Sequence, residues 1–352
     1  MNERYELLKK LCTCSGISGD ETKVRDIIIS EIKDYADDIK TDNMGNLIVF
    51  KKGLKTPDKK LMISAHMDEV GFMVTYITER GFLKFDQVGG IDRRVVFGKR
   101  VTVGKNSIDG VVGVKPIHLC SEDEKEAVPK ISDMYIDIGA ESREEAEKYV
   151  SIGDSVCFYS PFEINEDAVS LGTTLKAKAI DDRAGCFIMI ELIKSQLEYD
   201  CTFTFVVQEE VGLRGAKTAA YTVDPDYAIV LESTTASDIH GCEDSKAVCH
   251  VGDGVVVSFM DRSTIYDKEM FKEAFKAAKD IGVKAQVKSA VAGGNDSGAI
   301  HTSRGGVRTL ALSLPCRYIH SGLSLVSLSD MEDSLKLTKE LISRFLRGAQ
   351  SV

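Results

Sequence analysis

Apolar runs alternate with amphipathic segments along much of the chain, and this alternation predicts strands and helices in turn. Residues 3–14 and 20–36 carry apolar side chains at helical spacing, whereas residues 61–65 and 203–207 form short apolar runs typical of buried strands. Later segments continue the alternation, with predicted helices at 186–193, 213–221, 266–281 and 329–345 and predicted strands at 227–231, near 254–259, at 283–289 and at 308–314. Strands that alternate with helices predict an α/β fold, with a mostly parallel sheet covered by helices on both sides.

Between residues 70 and 162 the pattern changes to short β-type runs separated by glycines. The runs are 72–77, 95–97, 100–103 and 110–114, and a short helix capped by Ser142 is expected at 141–147. Short strands at this spacing are typical of a small β-barrel or sandwich. Because 352 residues exceed one ordinary core, we predict two domains, with residues 70–162 inserted into a domain formed by 1–69 and 163–352.

Charge and composition narrow the possible partners. The chain has 45 basic and 55 acidic residues, and the resulting net charge of −10 argues against a nucleic-acid surface. No apolar run approaches the ~20 residues of a membrane helix, and Met1–Lys10 lacks the apolar core of a signal peptide, so we expect no membrane partner. Nine cysteines, an odd number, suit the reducing cytoplasm. Cys12 with Cys14, or Cys242 with Cys249 and His250, lack the paired spacing of zinc ligands, and buried thiols are the favoured interpretation.

Side chains with metal-ligand chemistry stand at or just beyond the ends of several predicted strands. In an open parallel sheet these carboxyl ends meet along one rim, where ligands bind. Asp181 instead begins a helix, where the helix dipole favours an anion. Two imidazoles and three carboxylates form a ligand set suited to zinc, cobalt or manganese. The predicted ligands are His66, Asp181, Glu210, Glu232 and His320.

If Asp181 bridges two cations, each cation receives one histidine and one further acid. Two cations about 3.5–4 Å apart would then hold the attacking oxygen and the substrate carbonyl. Asp68, two residues beyond His66, is predicted to accept the second N–H of that imidazole. Glu209, adjacent to Glu210, is predicted to act as general base, with a pKa raised toward neutrality by burial. Taken singly, these motifs have plainer explanations, such as a helix cap or a solvated acidic turn.

Five stretches of the chain together resemble one family. The chain is similar to the M42 co-catalytic metallo-aminopeptidases, which include glutamyl aminopeptidases, deblocking aminopeptidases and the tetrahedral (TET) peptidases. The resemblance extends over essentially the whole chain. The matching stretches are Ser64–Gly71, Lys178–Gly185, Gln208–Gly212, Leu231–Glu232 and Arg317–Ser321.

The resemblance implies a role for each of these residues. One metal would be held by His66, Asp181 and Glu232, and the other by Asp181, Glu210 and His320. Glu209 would be the general base, Asp68 would orient His66, and the Asp181–Asp182 peptide bond would be cis. Glu232 stands where the family usually has aspartate.

The resemblance also implies a fold and an assembly. Residues 1–69 and 163–352 would form a phosphorylase/hydrolase-like catalytic domain, and residues 70–162 an inserted β domain used for oligomerisation. Members commonly form dimers that build a dodecamer.

We therefore expect a cytoplasmic, dinuclear metal-dependent aminopeptidase that hydrolyses N-terminal residues from peptides, with Glu209 activating a water that bridges the metals. Zinc or cobalt is expected, with manganese as an option. An N-acyl amino-acid or peptide deacylase on the same metal centre is an open alternative. So is a non-catalytic, metal-stabilised assembly protein. A glycosidase, the activity implied by the endoglucanase label of some relatives, needs only two carboxylates and leaves both histidines unexplained.

Overall fold

The predicted alternation of strands and helices corresponds to a large mixed sheet in the computed structural model, which describes residues 4–347. In chain order the strands are β1 (Asp38–Thr41), β2 (Leu47–Lys51), β3 (Leu61–His66), β4 (Gly71–Ile77), β5 (Leu83–Val88), β6 (Arg100–Val103), β7 (Ile108–Gly113), β8 (Tyr135–Asp137), β9 (Ser155–Phe158), β10 (Glu163–Ala168), β11 (Gly172–Ala177), β12 (Cys201–Val206), β13 (Tyr227–Thr235), β14 (Val255–Val257), β15 (Ala285–Val287), β16 (Arg308–Cys316) and β17 (Ser324–Ser327). The α-helices are α1 (Tyr5–Thr13), α2 (Thr22–Ile32), α3 (Glu122–Glu126), α4 (Arg143–Ala146), α5 (Ile180–Lys194), α6 (Arg214–Val223), α7 (Lys268–Ile281), α8 (Ser297–Ile300) and α9 (Leu328–Leu346).

The large sheet has the strand order β1-β2-β12-β3-β13-β16-β14-β15. Its centre, from β12 to β16, is parallel, and antiparallel pairs occur toward both edges. Every residue of β3 is buried, as expected for a strand covered on both faces. The predicted parallel sheet is therefore confirmed for the strands at its centre, and their carboxyl ends share one rim.

Helices cover both faces of this sheet. Helices α1, α2, α5, α7 and α9 contribute to the main hydrophobic core on one face, and α6 and α8 contribute to a smaller core on the other. The first helix was predicted to begin at residue 3, which lies outside the described residues. Within residues 4–347, none of the helices combines the length and apolar character needed to cross a bilayer.

Strands β4 to β9 close into a six-stranded antiparallel barrel in the order β4-β5-β8-β7-β6-β9. The barrel has its own hydrophobic core, with Phe72 packed edge-on against Phe85 and Phe158. Of the two predicted architectures, the structure is thus a barrel and not a sandwich. The predicted helix after Ser142 is α4, and the Ser142 hydroxyl accepts a hydrogen bond from the Glu145 N–H.

Some predicted elements are wrong or incomplete. The predicted strand at 95–97 is wrong, because these residues form the end of a 3-10 helix at Arg93–Val95 and the turn that follows it. The Asp92 carboxylate accepts the Arg94 N–H at the start of this helix. Strands β5, β8, β9, β10, β11 and β17 were not predicted. Polar residues recur in β5 and β10, so neither has a continuous apolar run.

Arg183, in α5, is fully buried and joins three segments of the chain. Its guanidinium donates hydrogen bonds to the carbonyl oxygens of Met67 (2.7 Å), Gly16 (3.1 Å), Cys14 (3.3 Å) and Leu11. These contacts attach the end of α1 and the loop that follows it to the end of β3. A buried guanidinium fits this position because it has five donors in a fixed plane.

Glu69 balances this buried positive charge. Its carboxylate accepts hydrogen bonds from Lys178 Nζ at 2.6 and 2.8 Å and lies 3.5 Å from the Arg183 guanidinium. Both partners are nearly fully buried, so the cluster is held without help from solvent.

We predict that Arg183→Met lowers the free energy of unfolding by about 3 kcal/mol or more, because the carbonyl oxygens of Leu11 and Met67 lose a buried donor and Glu69 loses one of its two cationic neighbours. Urea denaturation followed by circular dichroism measures this change. Arg183→Lys should lower the free energy of unfolding by less than Arg183→Met does, since lysine keeps the positive charge. Some loss should remain, because lysine lacks the planar set of donors. Arg94→Met, which removes an exposed arginine paired with Asp92, should leave the unfolding curve unchanged. A loss below about 1 kcal/mol for Arg183→Met would contradict a structural role.

Candidate functional site

The five predicted ligands lie together at the rim of the large sheet. His66 is the last residue of β3, Glu210 follows β12, and Asp181 lies in the first turn of α5. His320 lies in the loop after β16, in the left-handed region with φ of 57°. Glu232 lies inside β13, which continues to Thr235, so its predicted position after a strand is wrong.

Distances between these side chains divide them into two groups that share Asp181. His66 Nε2 lies 3.3 Å from Asp181 Oδ1 and 3.4 Å from Glu232 Oε1. His320 Nε2 lies 3.3 Å from Asp181 Oδ2 and also 3.3 Å from Glu210 Oε2. The two oxygens of Asp181 therefore face different imidazoles, as a bridging carboxylate would. A third group of possible ligands is formed by His66, Glu209 and Glu210.

Hydrogen bonds on the far side of each ring determine what the Nε2 atoms can do. His66 Nδ1 contacts the main-chain oxygen of Asp68 at 3.0 Å, and His320 Nδ1 contacts that of Gly90 at 2.9 Å. A carbonyl oxygen only accepts, so each Nδ1 carries a proton and Nε2 is the ring atom that faces the carboxylate oxygens. A proton or a cation at Nε2 supplies the positive charge that this arrangement needs.

Two further observations fit a cation at this position. Asp181 Oδ1 and Glu232 Oε2 are buried and, within residues 4–347, receive no hydrogen bond. Burial lowers the pKa of His320, but Asp181 and Glu210 outweigh it and raise the pKa to about 9. Protons thus balance part of the negative charge of the cluster, a divalent cation would replace them, and the residue set fits a metal. The Asp181–Asp182 peptide bond is cis, as the resemblance implies.

Asp68 contacts the site differently from the prediction. Its carboxylate lies 3.5 Å from His66 Nδ1, and it is the main-chain carbonyl that contacts the ring. The carboxylate instead accepts hydrogen bonds from the N–H groups of Glu209 (3.0 Å) and Glu210 (3.1 Å) and from the Ser18 hydroxyl (2.6 Å). Asp68 therefore connects the loop after β3 to the two acids that follow β12.

Glu209 lies beside the five ligands, with a carboxylate oxygen within 4.8 Å of a His66 nitrogen and a Glu210 oxygen. Burial raises its pKa well above the ordinary value; His66 opposes this effect, and Glu232 and Asp296 add to it. Asp296 is itself buried, with neither carboxylate oxygen hydrogen-bonded within the described part of the chain. Asp296 is not among the site residues predicted from the sequence, although it lies in a glycine-rich stretch, Gly293–Gly298.

A cavity of about 510 Å³ opens onto this cluster. Its lining includes Glu209, Glu210, Glu232 and His320, together with Lys288 and Asn295. Lys288 was not predicted to belong to the site, and the only signal in the sequence was a charged residue near the end of a predicted strand. In the described residues no group of possible metal ligands includes a cysteine, and all nine cysteines are free.

Comparison with known proteins identifies close relatives. The family model described as M42 glutamyl aminopeptidase matches residues 45–337. One relative is a protein of Acetivibrio thermocellus that is provisionally named an aminopeptidase. It is 44% identical to this chain over 342 residues, and the match covers 97% of this chain and 98% of that protein. The crystal structure of a TET aminopeptidase from a marine-sediment Thaumarchaeota archaeon superposes with a TM-score of 0.92 at 36% identity, covering 97% of this chain and 96% of that one.

A second solved structure is that of the Pyrococcus horikoshii TET1 peptidase, which can assemble into a tetrahedron or a large octahedral shell. It is 38% identical with a TM-score of 0.83, and it covers 96% of this chain and 99% of its own.

We predict that zinc or cobalt raises the melting temperature and that a chelator lowers it, because cations relieve the repulsion among the three carboxylates. Cation at about 1,000 times its Kd would stabilise the fold by about 4 kcal/mol. Asp181→Asn should abolish the shift, whereas His320→Ala should remove only part of it. Calorimetric titration with zinc gives the number of sites. His240→Ala, which removes an exposed histidine, is the control. Unchanged binding by Asp181→Asn would refute the bridging role.

Proposed function

The chain belongs to the M42 family of aminopeptidases, which are hydrolases, and we propose that it removes N-terminal residues from peptides at a dinuclear metal centre with Glu209 as the general base. The main support for this proposal is that two imidazoles lie close to three carboxylates, with Nε2-to-oxygen distances of 3.3–3.4 Å. A further acid, Glu209, lies beside them. Neither the family model nor the relatives described above carries a deacylase name, so the peptidase is the favoured activity.

Two sets of residues would hold the cations. The first is His66, Asp181 and Glu232, and the second is Asp181, Glu210 and His320. Bound zinc, cobalt or manganese would polarise the carbonyl of the scissile bond and make a nearby water more acidic. The main-chain oxygens of Asp68 and Gly90 hold the two rings so that Nε2 faces the carboxylates.

Glu209 performs the proton transfers in this proposal. Its carboxylate takes a proton from the water that attacks the carbonyl carbon, and then gives that proton to the leaving amine as the C–N bond breaks. Asp68 positions Glu209 by accepting its main-chain N–H at 3.0 Å. The remainder of the peptide leaves with a free amino terminus, and the next residue becomes available for hydrolysis.

We also propose that the chain forms a homo-oligomer, a dimer that builds to a dodecamer, through an inserted domain of residues 70–162. The assembly of the Pyrococcus horikoshii relative supports this proposal. So do the exposed apolar side chains on the barrel and its loops, among them Val111, Ile117 and Leu119. Residues 1–69 and 163–352 would then form the catalytic domain. A cytoplasmic location is proposed from the nine free cysteines.

We predict that Glu209→Gln lowers kcat on aminoacyl-p-nitroanilides by about 10³-fold, since the general base is lost while the metal ligands remain. The measurement uses enzyme loaded with zinc, cobalt or manganese, with bound metal determined by elemental analysis. Metal content and melting temperature should match those of the unaltered chain. Glu269→Gln, which alters an exposed glutamate on α7, should keep full activity. An active Glu209→Gln variant would refute the assigned base, and failure of the metal-loaded chain to hydrolyse any aminoacyl substrate would refute the proposed function.

Light scattering after size exclusion should give a mass of several 38.6 kDa subunits. The double variant Ile117→Asp, Leu119→Asp should give a smaller mass, because charge would disrupt a contact made by exposed apolar side chains of the barrel. Val169→Asp, at a fully exposed valine outside the barrel, should leave the mass unchanged. A monomeric unaltered chain would refute the assembly.

A further inference from the structure

Lys288 is a buried cation for which the described part of the chain supplies no partner. Its side chain lines the cavity that contains Glu209 and Glu232, yet the residue is only 5% exposed. Across residues 4–347, its ammonium group forms neither a hydrogen bond nor an ion pair. A lysine that is almost fully buried is nearly always paired, so this position calls for an explanation.

Asp261 and Glu232, the two acids whose charge acts on Lys288, are already engaged elsewhere. Asp261 accepts hydrogen bonds from the N–H groups of Ser263 and Thr264 and from the Tyr266 hydroxyl. Glu232 faces His66 and is a proposed metal ligand. Burial lowers the pKa of Lys288, and attraction to Asp261 and Glu232 only partly opposes this effect. Cations bound at the centre would neutralise Glu232 and leave the Lys288 ammonium group without a counter-charge in the cavity.

Two neighbouring hydroxyls are also unsatisfied. Glu232 pairs with Ser313 across the sheet, so their side chains point to the same face. Ser313 in turn pairs with Val256, and Ser258 lies two residues further along, on that face. The hydroxyl groups of Ser313 and Ser258 are buried, and within the described residues neither has a hydrogen-bond partner. Lys288 joins this strand through its N–H, which donates to the Val257 carbonyl oxygen at 3.1 Å.

We propose that Lys288 selects substrates whose N-terminal residue has a carboxylate side chain, which is glutamate or aspartate. This inference rests on the proposed aminopeptidase function and adds the substrate class. An ammonium and hydroxyl donors at one end of a cavity complement an anion with several acceptor oxygens. The side chain of the N-terminal residue suits Lys288 because Lys288 is buried, whereas His320, which also lines the cavity, has a side chain that is 36% exposed and lies nearer the solvent from which the rest of the peptide enters.

The carboxylate that binds Lys288 could also be the C-terminal carboxylate of a dipeptide. A terminal carboxylate at Lys288 would limit the enzyme to dipeptides. Pairs of substrates separate these two sources. Glutamyl-p-nitroanilide has only the side-chain carboxylate, and leucyl-leucine has only the terminal one, which leucyl-leucinamide lacks.

The test compares kcat/KM of the metal-loaded full chain and its Lys288→Met variant on glutamyl-, leucyl- and lysyl-p-nitroanilides. The unaltered chain should prefer the glutamyl substrate. Lys288→Met should lose about 100-fold or more on that substrate, because its carboxylate is then desolvated without a partner, and should stay within about 3-fold on the leucyl substrate. Lys288→Arg should retain a preference for the glutamyl substrate, since it retains a positive charge. Lys272→Met, which removes an exposed lysine from α7, should change neither rate.

Three results would overturn the inference. The first is hydrolysis of the leucyl substrate without preference for the glutamyl one, which would leave the proposed function intact. The second is an equal loss on all substrates in Lys288→Met, which would indicate an effect on the metal centre. The third is a loss confined to leucyl-leucine, with leucyl-leucinamide and the glutamyl substrate unaffected, which would assign the lysine to a terminal carboxylate.

Binding provides a readout that does not need turnover. Calorimetric titration of the metal-loaded Glu209→Gln variant should show at least about 30-fold tighter binding of Glu-Ala-Ala than of Leu-Ala-Ala. Adding Lys288→Met to that variant should remove the difference. Equal affinity for both tripeptides in Glu209→Gln would refute the role of Lys288. Absence of hydrolysis of every aminoacyl substrate together with selective binding would refute the proposed function alone.

Discussion

Repulsion among acceptor groups is the constraint on which this structure depends. At the rim of the sheet, carboxylate oxygens and imidazole Nε2 atoms face one another at 3.3–3.4 Å, and buried groups of this kind are stable only around positive charge. Protons supply that charge in part, as the raised pKa of His320 indicates. Divalent cations would supply more of it and would bind the same atoms. The stability of the fold and the chemistry of the site therefore depend on the same charge balance.

The scaffold holds these groups in place against their repulsion from several directions. The Asp68 carboxylate fixes the main chain of Glu209 and Glu210, and the Gly90 carbonyl oxygen, from the segment between β5 and β6, fixes His320. The barrel segment thus contributes directly to the geometry at the rim of the sheet. Beneath the rim, Arg183 attaches the end of β3 to the first helix. Loss of any of these contacts would displace a proposed metal-binding side chain, although none of the contacts involves the metal-facing atoms.

Secondary structure was predictable where apolar runs were long and continuous. Strands β3, β12 and β16 and helices α7 and α9 agree closely with their patterns, because burial on one or both faces requires a regular arrangement of apolar residues. The barrel and the small sheet of β10, β11 and β17 were harder to predict. Their strands are short and partly polar, as in β5 and β10, and are stabilised by pairing with distant strands. One apolar run, at 95–97, forms the end of a 3-10 helix and the turn that follows it.

The sequence alone determined the chemical character of the site, because residue types near strand ends carry that information and a parallel sheet brings such ends together. Only the tertiary structure decided which oxygen of Asp181 faces which imidazole, and that His66 is oriented by a main-chain carbonyl oxygen and not by a carboxylate. It alone brought Lys288 into the same cavity as Glu209 and Glu232. These are contacts between residues far apart in the chain, and they follow from strand order and side-chain direction. Local periodicity does not encode which distant residues come into contact.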